Sequence, residues 1–158
     1  MIKEVIKAKN IEDLKICSKL RKEVFWNEEK APKELYIIDE YDKKDTTRNY
    51  LLKIDNTYVA TVRFIEVDKN IIKLQRLVVP RQYRKNGYVS MILNYLEKDA
   101  RSLDYKKVIM DSAYKAEGFY EKRWLYKDLE NVLWERKTTC ENGKRIIKIE
   151  TDKLHWKY

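Results

Sequence analysis

The sequence predicts an α/β (α+β) fold in which helices flank a mixed, mostly antiparallel twisted sheet. Two observations lead to this prediction. Three consecutive strand-like segments at 49–54, 57–67 and 71–79 are joined by short polar turns, which is typical of an antiparallel meander. A helix-like segment then leads to a further strand at 107–111. This strand–helix–strand order predicts a right-handed crossover with one parallel strand pair.

Length and composition favour one packed domain spanning residues 1–158, without a linker, a repeat or a low-complexity segment. Apolar residues make up 44% of the chain, which is typical of a packed protein and not of a disordered one. The net charge of +9 arises from 35 basic and 26 acidic residues that are interleaved along the chain. We therefore attribute it to a lysine-rich solvated surface and expect no nucleic-acid partner.

Few residues suit metal binding or nucleophilic catalysis. The chain has two separated cysteines, Cys17 and Cys140, and one histidine, His155. This content argues against a disulfide framework, a His-based triad and a metal site. No apolar run approaches the roughly 18 residues of a membrane span, and the first residues lack the apolar core of a signal peptide. We expect a cytoplasmic protein with no membrane partner and no metal.

The N-terminal elements are predicted as a short strand at 2–7 and an amphipathic helix at 11–26. Asn10 is suited to cap this helix. Cys17 belongs to the apolar face of the helix, and we interpret it as a core residue. Further along, Asp55-Asn56 is predicted to form a hairpin turn between the first two strands of the meander.

The C-terminal third is predicted to hold a short helix at 115–123 and a strand-rich remainder. Asn142-Gly143 is a strong hairpin signal within that remainder. The arm formed by residues 125–158 is suited to packing on a second subunit, so the sequence leaves a homodimer open.

The chain is organised around a strand, a basic turn and a helix between Leu74 and Leu103. The turn spans residues 80–87 and ends at Gly87, one of only three glycines. The helix after it has apolar residues on one face, namely Val89, Ile92, Leu93, Leu96, Ala100 and Leu103. A helix begins with unpaired N–H groups and the positive end of its dipole. We therefore predict that an anion, the pyrophosphate of a coenzyme, binds at this turn.

Three blocks of sequence resemble one protein family. The loop from Arg84 to Val89 resembles the Gln/Arg-x-x-Gly-x-Gly/Ala loop of the GNAT N-acetyltransferases. Downstream, residues 116–122 resemble the "FYEK" helix of the same family. Upstream, residues 20–25 and 39–42 resemble the opening of a small bacterial branch whose members mostly lack an assigned substrate. The resemblance covers roughly residues 11–150 and implies the GNAT acyl-CoA N-acyltransferase fold.

The resemblance implies acetyl-CoA as the co-substrate. In the family, the pantetheine arm pairs with the strand before the loop, which here is Leu77, Val78 and Val79. The remaining residues implied in coenzyme binding are Arg84, Lys85, Asn86, Gly87, Tyr88, Val89, Ser90 and Phe119. The chain departs from the pattern in having Val89 at a position for a small residue and Lys85 at a position usually held by glycine.

The resemblance also implies a catalytic role for Tyr120, as the general acid that protonates the departing thiolate. Relatives place a glutamate on the strand before the loop, where this chain has Gln75, which cannot act as a base. Asp111, at the end of the next strand, is the carboxylate candidate for that role. We expect direct acetyl transfer to a primary amine of an unidentified small molecule or peptide.

The residues predicted to contact the acceptor are Arg21, Asp39, Asp42, Arg63 and Gln75. The two carboxylates are suited to a cationic substrate and the two arginines to a substrate carboxylate. The alternative is that these arginines and acids simply pair with each other.

Two other functions remain open on sequence grounds. One is a non-catalytic acyl-CoA binder of the GNAT fold. The other is an enzyme similar to the acyl-homoserine-lactone synthases, which share the fold, an Arg-x-x-Val-Phe helix like residues 21–25, and an Asp-x-x-Asp like residues 39–42.

Overall fold

The computed structural model describes residues 1–111, 137–141 and 144–149, with side chains for residues 1–108. The described residues fall into two compact units. The first comprises residues 1–65 and 75–99, and the second comprises residues 66–74 together with the described residues from 100 onward. The expectation of a single domain stays a prediction.

The strands are β1 (Lys3–Ala8), β2 (Arg48–Ile54), β3 (Thr57–Asp68), β4 (Ile71–Val78), β5 (Lys107–Asp111), β6 (Lys137–Glu141) and β7 (Lys144–Ile149). The α-helices are α1 (Ile11–Lys22) and α2 (Tyr88–Ser102). Shorter helical segments are the π-helix Glu23–Glu28 and the 3₁₀ turns Lys33–Leu35, Tyr41–Lys43 and Arg81–Tyr83.

In the first unit, β1, β2 and β3 form an antiparallel series in which β2 is central. The predicted turn between β2 and β3 is confirmed. Asp55 adopts a left-handed backbone with φ of 52°, a conformation that aspartate tolerates because its short side chain bonds locally. Its carboxylate accepts a hydrogen bond from the N–H of Ile2 at 2.8 Å, so the turn also fixes the start of the chain.

In the second unit, β4 pairs in parallel with β5, from Ile71 opposite Lys107 to Leu74 opposite Met110. β7 is antiparallel to both β5 and β6. The prediction of a mixed, mostly antiparallel sheet with one parallel pair is therefore confirmed. Glu141 pairs with Lys144 across the predicted hairpin, whose two central residues lie outside the described residues.

The first helix begins as predicted. The Asn10 side chain accepts from the N–H of Asp13 at 2.9 Å, and the Asp13 carboxylate accepts from the N–H of Lys9 at 3.0 Å. This reciprocal arrangement satisfies two backbone donors at the helix start. The predicted helix 11–26 is helical, but from Glu23 it becomes a π-helix that continues to Glu28. Periodicity does not distinguish these two helix types because π-turns are set by packing.

The two α-helices pack on opposite faces of β2. On one face, Asn49 accepts a hydrogen bond from Arg21 of α1. Leu51 lies on the same face and belongs to a core cluster with Cys17 and Leu20 of α1. Tyr50, between them in sequence, points to the other face, since successive strand residues alternate.

On that second face, the Tyr50 hydroxyl donates to Asp99 of α2 at 2.6 Å, and the Tyr50 ring contacts Tyr95. Burial first, and then the hydrogen bond to Asp99, raise the pKa of Tyr50. The helix face predicted from spacing is largely confirmed, because Ile92, Leu93, Leu96 and Ala100 are buried. Leu103 is an exception: it follows the end of α2 and is 41% exposed.

Strand β4 is irregular at Arg76, which the sequence did not predict. Arg76 has a left-handed φ of 57°. Gln75 bonds to Arg63 on the α1 face, and Val78, three residues later, joins the α1-side core cluster with Leu20. In a regular strand, side chains three residues apart point to opposite faces. The left-handed residue between them therefore restores Val78 to the α1 face, as a β-bulge does.

Among the described residues, the longest helices are too short or too polar to span a lipid bilayer.

Candidate functional site

The predicted anion-binding turn leads from β4 into α2. After Pro80 the chain makes one 3₁₀ turn, and Lys85 and Gly87 then both adopt left-handed backbones, with φ of 65° and 74°. The first hydrogen bond of the helix runs from the N–H of Met91 to the carbonyl of Gly87 at 3.2 Å. The N–H groups of residues 88–90 therefore have no acceptor within the helix. A helix start of this kind is suited to an anion.

Gly87 has two properties that suit this position. Its positive φ favours glycine, because other L-residues pay a steric penalty there. A Cβ built on Gly87 would meet no protein atom within 4 Å. The space in front of this backbone is thus open, and the protein itself does not require the absence of a side chain there.

Arg84 is among the residues implied in coenzyme binding, and the structure shows where its guanidinium lies. Its Nε donates to the carbonyl of Val79 at 2.8 Å, and one terminal nitrogen donates to Glu28 at 2.5 Å. Arg84 therefore ties the loop to the end of β4 and to the π-helix. A direct contact between Arg84 and an anion stays a prediction.

Two glutamates of the π-helix, which the sequence analysis did not single out, hold the loop. Glu28 accepts from the N–H of Arg81 at 2.9 Å as well as from Arg84, and Glu23 accepts from the Gln82 side chain at 2.6 Å. Residues five apart point in different directions on an α-helix of about 3.6 residues per turn. The i→i+5 bonding of a π-helix brings them to the same side. The widened turn thus explains how both carboxylates reach one loop.

We expect Glu28→Ala to weaken the predicted binding of coenzyme A at this turn about 3- to 10-fold, because charge-assisted hydrogen bonds to the loop are lost. Calorimetric titration measures this. The matched control is Glu29→Ala, which removes an exposed carboxylate one residue away. Tighter binding by Glu28→Ala would contradict the prediction, since it would mean that Glu28 competes with the anion for Arg84.

In the strand segment predicted to pair with the pantetheine arm, two of the three side chains are buried. Val78 is 2% exposed and belongs to the core cluster with Cys17, Leu20 and Leu51, and Val79 is buried as well. Cys17 is fully buried and burial raises the pKa of its thiol, which agrees with a core role.

The predicted acceptor-binding residues lie together in a buried charged cluster on the α1 face. Arg21 makes a bidentate ion pair with Asp42, at 2.9 and 3.1 Å, and also donates to the Asn49 amide oxygen at 2.7 Å. The Arg21 and Asp42 side chains are 1% and 0% exposed. Burial by itself would raise the pKa of Asp42, but the hydrogen bond and charge of Arg21 hold it well below its usual range.

Arg63 connects this pair to Asp39 and Gln75. Its terminal nitrogens donate to the two Asp39 oxygens at 2.7 and 2.9 Å, and one of them also reaches Asp42 at 3.0 Å. Its Nε and one terminal nitrogen donate to the Gln75 amide oxygen at 3.1 and 2.8 Å. Although burial alone would lower the pKa of Arg63, the hydrogen bonds and charges of Asp39 and Asp42 raise it above its usual value. The Arg63 side chain is 1% exposed.

In the structure, Arg21 and Arg63 therefore pair with the acidic residues of the cluster, which is the alternative to substrate binding raised by the sequence. Asp39 and Asp42 also fix each other's segment, because each carboxylate accepts from the other's backbone N–H, at 3.1 and 3.0 Å. Of the paired acids, only Asp39, with a side chain 22% exposed, presents surface to a substrate. Direct substrate contact by the cluster stays a prediction.

Three predicted site residues cannot be placed beside this geometry. Tyr120 and Phe119 lie outside the described residues. Asp111 is the last residue of β5, and the description of side chains ends before it.

Comparisons with known proteins identify the family and the fold. Residues 14–124 match the model of the acetyltransferase (GNAT) family. A curated Bacillus subtilis (strain 168) protein, provisionally described as an acetyltransferase, is 30% identical over 122 residues, which cover 75% of this chain and 80% of that protein.

Two solved structures share the fold. One, from Lactobacillus plantarum and provisionally described as an N-acetyltransferase, has a TM-score of 0.73 at 17% identity and covers 96% of this chain and 99% of its own. The PaiA N-acetyltransferase of Thermoplasma acidophilum, solved with coenzyme A, has a TM-score of 0.67 at 18% identity. The match covers 95% of this chain and 99% of the PaiA chain.

Proposed function

The chain belongs to the GNAT acetyltransferase family, and from that membership we propose that it transfers acetyl from acetyl-CoA directly to a primary amine of a small molecule or peptide. The observation that carries the proposal is the turn between β4 and α2. There the N–H groups of residues 88–90 and the open space at Gly87 meet at the positive end of a helix dipole. Coenzyme A carries a compact pyrophosphate dianion of the kind such a turn accepts.

The binding of coenzyme A rests on the chain's own backbone. The turn would take the pyrophosphate, and the main chain of Leu77, Val78 and Val79 would bond to the amides of the pantetheine arm. The PaiA structure, which has the same fold, contains coenzyme A, and this supports the choice of co-substrate. Val89 is half-buried at the helix start and lies outside the open space at Gly87.

The proposed chemistry is a direct attack of a neutral amine on the thioester carbonyl. A carbon–nitrogen bond forms, the carbon–sulfur bond breaks, and Tyr120 donates a proton to the sulfur that leaves. The amine's own proton passes to Asp111, directly or through water. Cys17 takes no part, because it is buried in the core.

The proposal is tested by titrating the protein with acetyl-CoA in a calorimeter and by following coenzyme A release over a library of amines. We expect binding in the micromolar range, and turnover with at least one class of amine. No binding of acetyl-CoA and no release over any acceptor would overturn the proposal. Binding without turnover would favour the non-catalytic alternative.

Gly87→Ala is expected to weaken acetyl-CoA binding at least 10-fold while destabilising the fold by only about 1 kcal/mol. The small stability loss reflects the positive φ alone, because the new methyl group meets no protein atom. The larger loss of affinity follows if the open space holds the ligand. Calorimetry and thermal unfolding measure the two effects separately, and Lys30→Ala, at an exposed left-handed residue outside the loop, is the control. Equal affinities of Gly87→Ala and the wild type would place the ligand elsewhere.

A further inference from the structure

Arg76, on β4 next to Gln75, is a third arginine of the charged cluster and differs from the other two. Arg21 and Arg63 are 1% exposed, and the terminal nitrogens of each make short bonds to carboxylates and an amide oxygen, although the Nε of Arg21 has no acceptor among the described residues. The Arg76 side chain is 20% exposed, and its ion-pair contact, with Asp39, is 3.9 Å long. Of the three guanidinium groups, the one at Arg76 is thus both the most accessible and the least well paired.

The poor pairing of Arg76 has a clear cause. Both Asp39 oxygens already accept short bonds from Arg63, at 2.7 and 2.9 Å. Asp42 is shared between Arg21 and Arg63. Three guanidinium groups and two carboxylates leave the cluster with one excess positive charge, and Gln75 adds none of the negative charge that a glutamate would bring.

The environment of Arg76 disfavours its positive charge and its backbone conformation. Burial, and then the charges of Arg63 and Arg21, lower the pKa of Arg76. Among the described residues, no acceptor reaches its buried Nε. Its backbone is also left-handed, with φ of 57°, a conformation that long side chains adopt only when their surroundings impose it. A partly buried cation under these conditions is stabilised by an added anion.

The position of Arg76 links this cation to the proposed reaction. The pyrophosphate turn lies at residues 84–90, and the pantetheine arm is proposed to run back along Val79, Val78 and Leu77. Arg76 is the next residue in that direction. A group bound at Arg76 would therefore lie beside the acyl end of the co-substrate, where an acceptor must be held.

We propose that Arg76 binds a carboxylate of the acceptor, so that the substrate class is amines that also carry a carboxylate group. A guanidinium matches a carboxylate with two parallel hydrogen bonds, which both holds and orients it. The inference rests on the proposed acetyl transfer and specifies its substrate.

The test compares paired amines that differ only in the carboxylate, such as an amino acid and its amide, with the wild type, Arg76→Gln and Arg76→Lys. We expect the wild type to prefer the carboxylated amine. Arg76→Gln should raise the KM for that amine on the order of 10- to 100-fold and change the KM for the amide little. Arg76→Lys should recover part of the loss, because it restores the charge without the planar fork.

A binding measurement separates this inference from the proposed reaction. N-acetylated amino acids, which carry the carboxylate but no reactive amine, should raise the melting temperature of the wild type and not that of Arg76→Gln. Lys69→Gln is the matched control, since it removes one positive charge from the exposed turn between β3 and β4. Acetyl-CoA affinity should be the same in all three variants.

The outcomes are distinguishable. Turnover of carboxylate-free amines at least as efficient as that of their carboxylated partners would overturn the role of Arg76 while leaving acetyl transfer intact. Equal stabilisation of the wild type and Arg76→Gln by N-acetylated amino acids would also overturn it. Failure to bind acetyl-CoA would instead remove the proposed function, and the melting-temperature comparison would still test the carboxylate site.

Discussion

Asp42→Asn is expected to lower the free energy of unfolding by about 3–5 kcal/mol, because it leaves Arg21 and Arg63 buried with too little negative charge. The Asp42 side chain is fully buried, so water does not replace the lost partner. The introduced amide NH₂ would also face guanidinium donors, which cannot accept its hydrogen bonds. Urea unfolding followed by circular dichroism measures the change.

Asp45→Asn is the matched control, because it removes the charge of an exposed aspartate three residues away. We expect that variant to lie within about 0.5 kcal/mol of the wild type. A loss in Asp42→Asn of similar size would show that the cluster does not stabilise the fold.

The stability difference between the wild type and Asp42→Asn should also depend on pH. The folded-state pKa of Asp42 is depressed, so its contribution to stability is present above the unfolded-state pKa of about 3.9. It is lost as the pH falls toward the folded value. The stability difference between the wild type and Asp42→Asn should therefore be constant near neutrality and shrink below about pH 4.

Tyr120→Phe is expected to lower kcat about 10²- to 10³-fold with little change in acetyl-CoA affinity. The reason is chemical: removing the hydroxyl removes the proposed proton donor to the leaving thiolate and keeps the ring. A residue that acts only in the transition state lowers kcat and kcat/KM together. Steady-state kinetics with the best acceptor, and calorimetry with acetyl-CoA, measure the two quantities.

Tyr95→Phe is the control, since this tyrosine on α2 packs its ring on Tyr50 and is 37% exposed. A kcat for Tyr120→Phe equal to that of the control would remove Tyr120 from the mechanism. The proton would then have to come from another group or from water.

Much of the fold could be predicted because its signals are local. The Asn10 cap, the Asp55 turn and the spacing of Ile92, Leu93 and Leu96 depend on residues within a few positions of one another. The strand–turn–helix that forms the candidate coenzyme site is local in the same sense. The order of these elements also fixed the parallel pairing of β4 with β5, since a crossover allows little else.

The acceptor side could be predicted only in part. The sequence singled out Arg21, Asp39, Asp42, Arg63 and Gln75, and the structure brings all five together. Whether the charged residues pair or bind a substrate depends on distances between segments far apart in the chain, and sequence spacing does not supply those. Arg76 escaped notice because its surplus charge exists only after the other four charged groups have paired.

The sequence by itself determined the family, the order of elements and the turn whose backbone suits an anion. Only the tertiary structure decided which charges neutralise one another, that Glu23 and Glu28 hold the turn, and that Arg76 keeps an excess positive charge. The reason is that the π-turn after α1 and the left-handed residue in β4 each change side-chain directions by a fraction of a turn. Packing selects such irregularities, and no local pattern records them.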